Sequence, residues 1–294
     1  MSSLTPWPKP CLGSGKTHLL GVFGDPVAHS LSPVIHNLAL NLLGLDYRYL
    51  PFHVPPERLH AALQGFRALG GTGFNATVPH KEALVPWMDE LSTAAIRAGA
   101  VNTVHCTDIV VGHNTDGHGF LAALKEKRPD LPQGAKVLVL GAGGAARSVL
   151  SALLETQCEA IFLANRTPDR AQSLAQFFAS YDSDHRIKPM ALDVERLPWE
   201  EISLLVHTTS LGLKGETSLP VAFHRLPTHC FVYDIVYGRP DTLLTRLATR
   251  HGLQSMDGLG MLIHQAAAAF TLWTGHDMPI DAIRAYLTHL GKPS

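Results

Sequence analysis

The sequence predicts an α/β protein of two domains, on three observations. The chain has 294 residues, and a single domain spans roughly 100–200 residues. Hydrophobic residues form 46% of the chain and charged residues 17%, so it can bury a large core and is not a disordered polyelectrolyte. Short apolar runs alternate with helical patterns, which is typical of right-handed crossovers and a largely parallel sheet.

The first part of the chain alternates strands with helices. Apolar runs predict strands over residues 18–23, 46–54, 73–77, 100–106 and 109–112, the last two as a pair. Helical spacing predicts helices over 31–43 and 56–69, with two short helices before residue 100. Ser32 directly before Pro33 favours a helix start, because a proline in the first turn lacks only an N–H that the helix does not need.

The second part resumes this alternation after a break. A helix over 115–127 precedes residues 128–134, whose two prolines and glycine favour a domain boundary. Strands are predicted over 136–140, 161–164, 204–207 and 230–235. Helices are predicted from the glycine run at 141 to residue 155, from Thr167 onward, and over 241–251, 258–274 and 280–290.

Charge and composition exclude several classes of protein. The net charge of −1, from 24 basic and 25 acidic residues, gives no attraction to nucleic acid or to an anionic membrane. The four cysteines are far apart, which predicts reduced thiols in a cytoplasmic protein. The 17 histidines include no H-E-x-x-H motif, so no metal site is expected. The most apolar stretch, 258–273, is shorter than the roughly 20 residues of a membrane-spanning helix.

A strand, a glycine-rich turn and a helix follow one another over 136–155. The turn reads Gly141-Ala142-Gly143-Gly144-Ala145, and Ala146 stands at the third glycine of G-x-G-x-x-G. Glycines let the backbone approach a pyrophosphate, and a helix N terminus offers free N–H groups. The pattern predicts a Rossmann-like dinucleotide-binding domain. A tight strand-to-helix turn without a ligand is the alternative.

The end of the next strand indicates which dinucleotide binds. It reads Asn165-Arg166-Thr167, with Arg170 one turn later. NAD-binding domains usually carry an acidic residue here for the ribose 2′-hydroxyl, and this sequence has none. Two guanidinium groups favour a 2′-phosphate and therefore NADP. Solvent-exposed arginines near a helix start are the alternative.

Three polar clusters in the first part offer groups for chemistry on a small molecule. Residues 29–33, His-Ser-Leu-Ser-Pro, place two hydroxyl groups at a helix start, where a carboxylate binds well. Residues 75–81 end in the Lys81 amine, and residues 112–117 deliver the Asp116 carboxylate. Proton transfer requires such a titratable group beside the reacting oxygen. A surface role for Lys81 and a helix-capping role for Asp116 are the alternatives.

Together these segments resemble the shikimate dehydrogenase family, from about residue 18 to residue 290. The motifs occur in the family's order: Gly-Val-Phe-Gly-Asp-Pro-Val-Ala-His-Ser-Leu-Ser-Pro from Gly21, Asn-Ala-Thr-Val-Pro-His-Lys from Asn75, Gly-Ala-Val-Asn-Thr from Gly99, Gly-His-Asn-Thr-Asp-Gly from Gly112, the glycine loop, Asn-Arg-Thr from Asn165, Asp-Ile-Val-Tyr from Asp234, and Asp-Gly-Leu-Gly-Met-Leu-Ile-His-Gln from Asp257. The resemblance implies the NADP-dependent reduction of 3-dehydroshikimate to shikimate, in aromatic amino acid biosynthesis.

The resemblance also implies a domain plan. It places a substrate-binding and catalytic domain over 18–116 and a Rossmann-like NADP-binding domain over 117–251, with a cleft between them. The C-terminal helices, over 252–294, are expected to return to the first domain.

The resemblance assigns roles residue by residue. Lys81 and Asp116 match the catalytic pair, and the sequence leaves open which of them transfers the proton. The implied substrate contacts are Ser30 and Ser32, which match carboxylate-binding serines, and Thr77, Asn102, Tyr237 and Gln265. The implied cofactor contacts are Gly141, Ala142, Gly143, Gly144, Ala145, Asn165, Arg166, Thr167 and Arg170, with Ile235, Gly258 and Met261 near the nicotinamide.

Two departures and two alternatives accompany the resemblance. His207 stands where the family usually has asparagine, and Gly-Arg-Pro at 238–240 replaces a sequence such as Asn-Pro. One alternative is a quinate/shikimate dehydrogenase that uses NAD. The other is an NADP-binding regulator without turnover, against which the presence of both Lys81 and Asp116 argues. Monomer and homodimer are both compatible with the sequence.

Overall fold

The computed structural model describes residues 13–209, 211, 218–237 and 241–290, so the departure at 238–240 lies outside the described residues. The chain forms two compact units. Unit 1 comprises Met1–Ala95, Ala100–Thr115 and Ala266–Ser294, and unit 2 comprises Ile96–Gly99 and Asp116–Gln265. The segment 252–294, predicted as one C-terminal part, is therefore shared between the two units.

Unit 1 contains a six-stranded mixed sheet in the order β2-β1-β3-β5-β6-β4. Its strands are β1 His18–Gly24, β2 Tyr47–His53, β3 Gly71–Ala76, β4 Glu90–Leu91, β5 Thr103–Cys106 and β6 Val110–His113. Strand β1 pairs in parallel with β2 and β3, whereas β5 pairs antiparallel with β3 and β6. The predicted pair of strands before residue 113 is thus confirmed as an antiparallel hairpin.

Unit 2 contains a six-stranded sheet in the order β12-β11-β10-β7-β8-β9, and all its strands are parallel. The strands are β7 Lys136–Leu140, β8 Ala160–Asn165, β9 Ile187–Ala191, β10 Leu204–His207, β11 Phe231–Asp234 and β12 Ser255–Met256. Counted from β7, this order is that of the Rossmann fold, in which ligands bind where the strand order reverses. The prediction of a Rossmann-like sheet is confirmed.

Ten α-helices connect these strands among the described residues. They are α1 Ser32–Leu42, α2 Leu59–Ala68, α3 His80–Ala83, α4 Thr93–Ala98, α5 Asp116–Lys127, α6 Gly144–Leu154, α7 Pro168–Phe178, α8 Leu243–Arg250, α9 Leu259–Thr274 and α10 Ile280–Leu290. Helix α1 begins at Ser32 with Leu31 as its N-cap, and no side chain caps it. Within the described residues, no helix has the length and apolar character to cross a membrane.

Each unit has its own core. In unit 1 the ring of Phe23 stacks on Phe74 with centroids 4.0 Å apart, and Phe66 packs edge-on against both. In unit 2, Val137 and Val139 of β7 enter one apolar cluster, whereas Leu138 and Leu140 enter another. Strand β7 is therefore buried on both faces, which explains its continuous apolar run.

Three strands were not predicted, and all of them lie at sheet edges. In strand β9 only Ile187 is buried, and Pro189 interrupts its pattern. Strands β4 and β12 have two residues each. Edge strands lack a second neighbour and tolerate proline and polar residues, so their sequences carry little of the alternating signal.

Candidate functional site

The glycine loop lies where the order of the unit 2 sheet reverses. Gly141 has φ +110, a backbone conformation that favours glycine, and a Cβ there would lie 2.7 Å from Thr208 Oγ1. Gly143 is the N-cap of α6, and a Cβ there would meet no atom within 4 Å. No side chain caps α6, and the first N–H groups of a helix have no partner within it. The loop therefore fits a pyrophosphate.

Ala146 is fully buried in the core of unit 2. It occupies the place of the third glycine, whose role is close helix-to-strand packing. Its small side chain meets that requirement.

The end of β8 is exposed and carries cationic side chains. Asn165 Nδ2 donates to Thr167 O at 2.8 Å, and α7 begins at the next residue, with no side-chain cap from Thr167. Arg166 and Arg170 are both exposed. Because the strand ends without an acidic residue, this edge of the sheet suits a phosphate on the ribose better than a hydroxyl group.

The segment after β11 packs tightly against the start of α9. A Cβ on Gly258 would lie 2.0 Å from the carbonyl oxygen of Ile235, so only glycine fits. The Gly258 N–H donates to Val236 O at 2.9 Å. Met261, one turn into α9, is buried in the same core against which Ile235 packs. The structure therefore brings together the three residues expected near the nicotinamide.

Two serines lie at the start of α1 in unit 1. Ser32 is buried and Ser30 is half-buried, and the Ser32 N–H donates to Ser30 Oγ at 3.2 Å. Thr77 follows the neighbouring strand β3, and its N–H donates to Phe23 O at 2.9 Å. The Thr77 methyl group lies against Gly24, where a Cβ would approach within 2.4 Å of it. Thr77 thus lies at the carboxyl ends of β1 and β3, and the two serines lie where the chain enters α1.

Lys81 is half-buried in the short helix α3, rather than fully exposed. Its carbonyl oxygen accepts the N–H of Val101 at 2.7 Å. The preceding residue, His80, is buried and bonds through Nε2 to Val54 O at 2.7 Å. The backbone that carries the Lys81 amine is therefore fixed from two sides.

Asn102 belongs to a buried polar network in unit 1. Its Oδ1 accepts the N–H of Thr115 at 2.8 Å and the hydroxyl of Thr103 at 3.1 Å. Asn75 Nδ2 donates to Thr103 Oγ1 at 3.0 Å, and Tyr49 donates its hydroxyl to Asn75 Oδ1 at 2.7 Å. The sequence predicted no role for Tyr49, Thr103 or Thr115. The available signal was that Tyr49 and Thr103 are polar residues within predicted strands.

The remaining predicted site residues lie in unit 2. Asp116 is buried at the first position of α5. Burial, and to a lesser degree the charge of Asp116, raises the pKa of Tyr237, so this phenol keeps its proton and can donate a hydrogen bond. Gln265 is buried, and Gly119 of α5 lies so close that a Cβ would reach 2.8 Å from its backbone nitrogen.

Three family models match parts of the chain. A shikimate dehydrogenase substrate-binding domain matches residues 22–104. A shikimate/quinate 5-dehydrogenase model matches 123–194, and a shikimate 5′-dehydrogenase C-terminal domain matches 258–287. The shikimate dehydrogenase (NADP(+)) of Magnetococcus marinus is 49% identical over 273 residues, which are 92% of this chain and 95% of that relative.

Solved structures of shikimate dehydrogenases also match the chain. A shikimate dehydrogenase in complex with NADP+ has a TM-score of 0.90 at 33% identity, covering 97% of this chain and 100% of that one. The shikimate 5-dehydrogenase of Listeria monocytogenes, in complex with shikimate and NAD, has a TM-score of 0.86 at 37% identity, covering 94% and 98%. Both proteins share the architecture over almost their whole length.

Proposed function

The chain belongs to the shikimate dehydrogenase family, and on this premise we propose that it catalyses the NADP-dependent interconversion of 3-dehydroshikimate and shikimate. This reaction is a step of aromatic amino acid biosynthesis. The structural observation that carries the proposal is the glycine loop, where Gly141 at φ +110 and the open space over Gly143 leave the N terminus of α6 accessible. That geometry suits the pyrophosphate of a dinucleotide.

The cofactor residues divide by the part of NADP that they hold. The backbone from Gly141 to Ala145 receives the pyrophosphate. Asn165, Arg166, Thr167 and Arg170 surround the ribose phosphate, and the two guanidinium groups supply its counter-charge. Ile235, Gly258 and Met261 border the nicotinamide. When bound, the cofactor supplies or accepts the hydride.

The hydroxyl groups of Ser30 and Ser32 hold the substrate carboxylate. Ser32 is the first residue of α1 and Ser30 lies two residues before it, so both are close to a helix N terminus, whose dipole also favours a negative charge. The carboxylate is the same in substrate and product, so these contacts bind the ground state and the transition state alike. Thr77, Asn102, Tyr237 and Gln265 provide the remaining polar contacts to the substrate.

Lys81 and Asp116 are the catalytic residues. During reduction, negative charge develops on the substrate carbonyl oxygen, and the Lys81 ammonium stabilises that charge. In the reverse direction the hydroxyl proton must leave to a base. Both Lys81 and Asp116 carry groups that exchange protons, and either of them can perform this transfer.

The proposal places the enzyme in the cytoplasm as a monomer or homodimer, with small molecules and no nucleic acid as its partners. Cys106, Cys158 and Cys230 are free thiols, which is typical of a reducing compartment. The nearly balanced charge supports the absence of nucleic-acid binding.

A spectrophotometric assay tests the activity. Purified protein is mixed with shikimate and NADP+, and the absorbance of the reduced nicotinamide is followed. We expect turnover with shikimate and much slower turnover with quinate. Equal or faster turnover with quinate favours the quinate/shikimate alternative, and NADP binding without turnover on either substrate favours the regulator.

A further inference from the structure

The last residues of β10 and β11 form a buried hydrogen-bonded pair. His207 and Asp234 are register partners on these adjacent parallel strands, and both are 2% exposed. The Nδ1 atom of His207 lies 2.9 Å from Asp234 Oδ1. The same carboxylate oxygen accepts the N–H of Val236 at 3.2 Å. The Oδ1 atom of this buried carboxylate therefore has two hydrogen-bond partners, one imidazole and one backbone N–H.

The other nitrogen of the imidazole bonds to Thr209. An ionised carboxylate can only accept, so Nδ1 of His207 carries the hydrogen toward Asp234. In the neutral ring Nε2 is then an acceptor, and it lies 2.5 Å from the hydroxyl oxygen of Thr209. That oxygen in turn accepts the N–H of Leu211 at 3.2 Å. The imidazole therefore orients both the Thr209 hydroxyl group and the start of the loop after β10.

Thr209 also touches the glycine loop. The N–H and the hydroxyl of Thr208 both donate to Leu140 O, each at 2.9 Å, which fixes this segment beside the end of β7. A Cβ on Gly141 would lie 2.8 Å from Thr209 Cγ2. On the other side, the His207 carbonyl oxygen accepts the N–H of Ile235 at 3.1 Å. His207 thus connects the pyrophosphate loop with the segment expected at the nicotinamide.

We propose that His207 is a positioning residue for the dinucleotide: it holds Thr209 against Gly141 and holds Asp234 against the backbone that follows β11. The proposal rests on the proposed function, because it assigns Gly141 to cofactor binding. Asparagine, usual in the family at this position, ends where Nδ1 of a histidine lies. It can bond to Asp234 but cannot reach Thr209, so this chain uses one side chain for two contacts.

Kinetics of His207→Asn, Thr209→Val and the double variant test the proposal. We expect His207→Asn to raise the KM for NADP+ about threefold to tenfold, the loss expected for one neutral hydrogen bond. The KM for shikimate and kcat should change less than about twofold, because no shikimate contact is disturbed. Thr209→Val should act like His207→Asn, because valine removes the hydroxyl group that bonds to His207 and keeps a methyl group beside Gly141.

The matched control is Thr245→Val. Thr245 is a buried threonine of α8 in the same unit, and its hydroxyl donates to Thr242 O at 3.1 Å. The Thr245→Val variant should leave the KM for NADP+ and the KM for shikimate unchanged, even if its melting temperature changes. If His207 acts through Thr209, the KM for NADP+ of the double variant should be no higher than the higher of the two single-variant values.

Several outcomes overturn the inference. They are additive effects in the double variant, an unchanged KM for NADP+ in His207→Asn or in Thr209→Val, and an equal rise in the KM for shikimate. A lower melting temperature with unchanged KM for NADP+ assigns His207 to folding alone and also overturns it. If the unmodified protein shows no turnover with NADP+, the proposed function itself fails, which this series distinguishes from a failure at His207.

Discussion

The side-chain amide of Asn102 forms two hydrogen bonds to Thr115: Oδ1 accepts the Thr115 N–H at 2.8 Å, and Nδ2 donates to the Thr115 hydroxyl at 2.9 Å. A backbone N–H can only donate, so the orientation of this amide is fixed. Thr115 immediately precedes Asp116. The contact therefore orients Asn102, a proposed substrate-binding residue. It also holds the backbone that directly precedes Asp116, a proposed catalytic residue.

Replacing Thr115 with valine should weaken the binding of shikimate. The variant keeps the N–H but removes the acceptor for Asn102 Nδ2, so we expect the KM for shikimate to rise about threefold to tenfold. The KM for NADP+ should stay unchanged. Steady-state kinetics of Thr115→Val and Thr115→Ser check this, and a serine variant as weak as the valine variant would refute the role of the hydroxyl group.

Replacing Lys81 with alanine should abolish most of the chemistry but little of the binding. The ammonium stabilises charge that exists mainly in the transition state, so kcat should fall by several orders of magnitude while the KM for shikimate stays within roughly tenfold. Lys127→Ala, which removes an exposed lysine at the end of α5, is the control. A near-wild-type kcat in Lys81→Ala would remove Lys81 from the mechanism.

Replacing Ser32 with alanine should have the opposite signature. A hydrogen bond to a charged group contributes about 1.5–3 kcal/mol, so the KM for shikimate should rise about tenfold to a hundredfold, with kcat little changed. Ser92→Ala is the matched control, because Ser92 Oγ accepts the N–H of Ala95 at the start of α4. If the methyl ester of shikimate, which lacks the charge, inhibits as strongly as shikimate binds, the assignment is wrong.

The stability of the protein should decrease below neutral pH because of His36. This residue is fully buried, and its ring stacks on Tyr49 with centroids 4.3 Å apart. Burial lowers the pKa of His36 from 6.5 to about 3. Below pH 6.5 the unfolded chain therefore binds a proton that the native state refuses, so unfolding becomes easier as the pH falls toward 3.

From pH 7 to pH 5 this proton uptake should cost about 2 kcal/mol of unfolding free energy. Urea unfolding of the wild type and of His36→Phe at both pH values measures it. The phenylalanine variant should lose about 2 kcal/mol less than the wild type over this interval. Identical losses in the two proteins would show that His36 is not the group responsible.

The strongest sequence patterns predicted their elements closely. Strand β7 has the predicted limits, Lys136–Leu140, because four buried positions in a row, 137–140, are followed at once by glycine. The glycine loop was also predictable, because the spacing of its glycines after a buried strand is typical of a dinucleotide-binding turn. Strand β9 was not predicted, because its exposure and Pro189 erase the pattern of a buried strand.

Side-chain contacts between residues far apart in the chain could not be predicted from the sequence. The bond from Tyr49 to Asn75 joins residues 26 positions apart, and nothing local to either residue indicates it. His207 attracted attention only as a departure from the family pattern. Its partners Asp234 and Thr209 became visible only when the strands were paired in register.

The cofactor preference of the unmodified enzyme tests the central claim most directly. The end of β8 carries exposed Arg166 and Arg170 and no acidic residue, and a solved relative holds NAD. With shikimate as substrate, kcat/KM is measured for NADP+ and for NAD+ under the same conditions. Two charge-assisted contacts to the 2′-phosphate predict a preference for NADP+ of at least about tenfold. Equal values, or a preference for NAD+, would contradict the account.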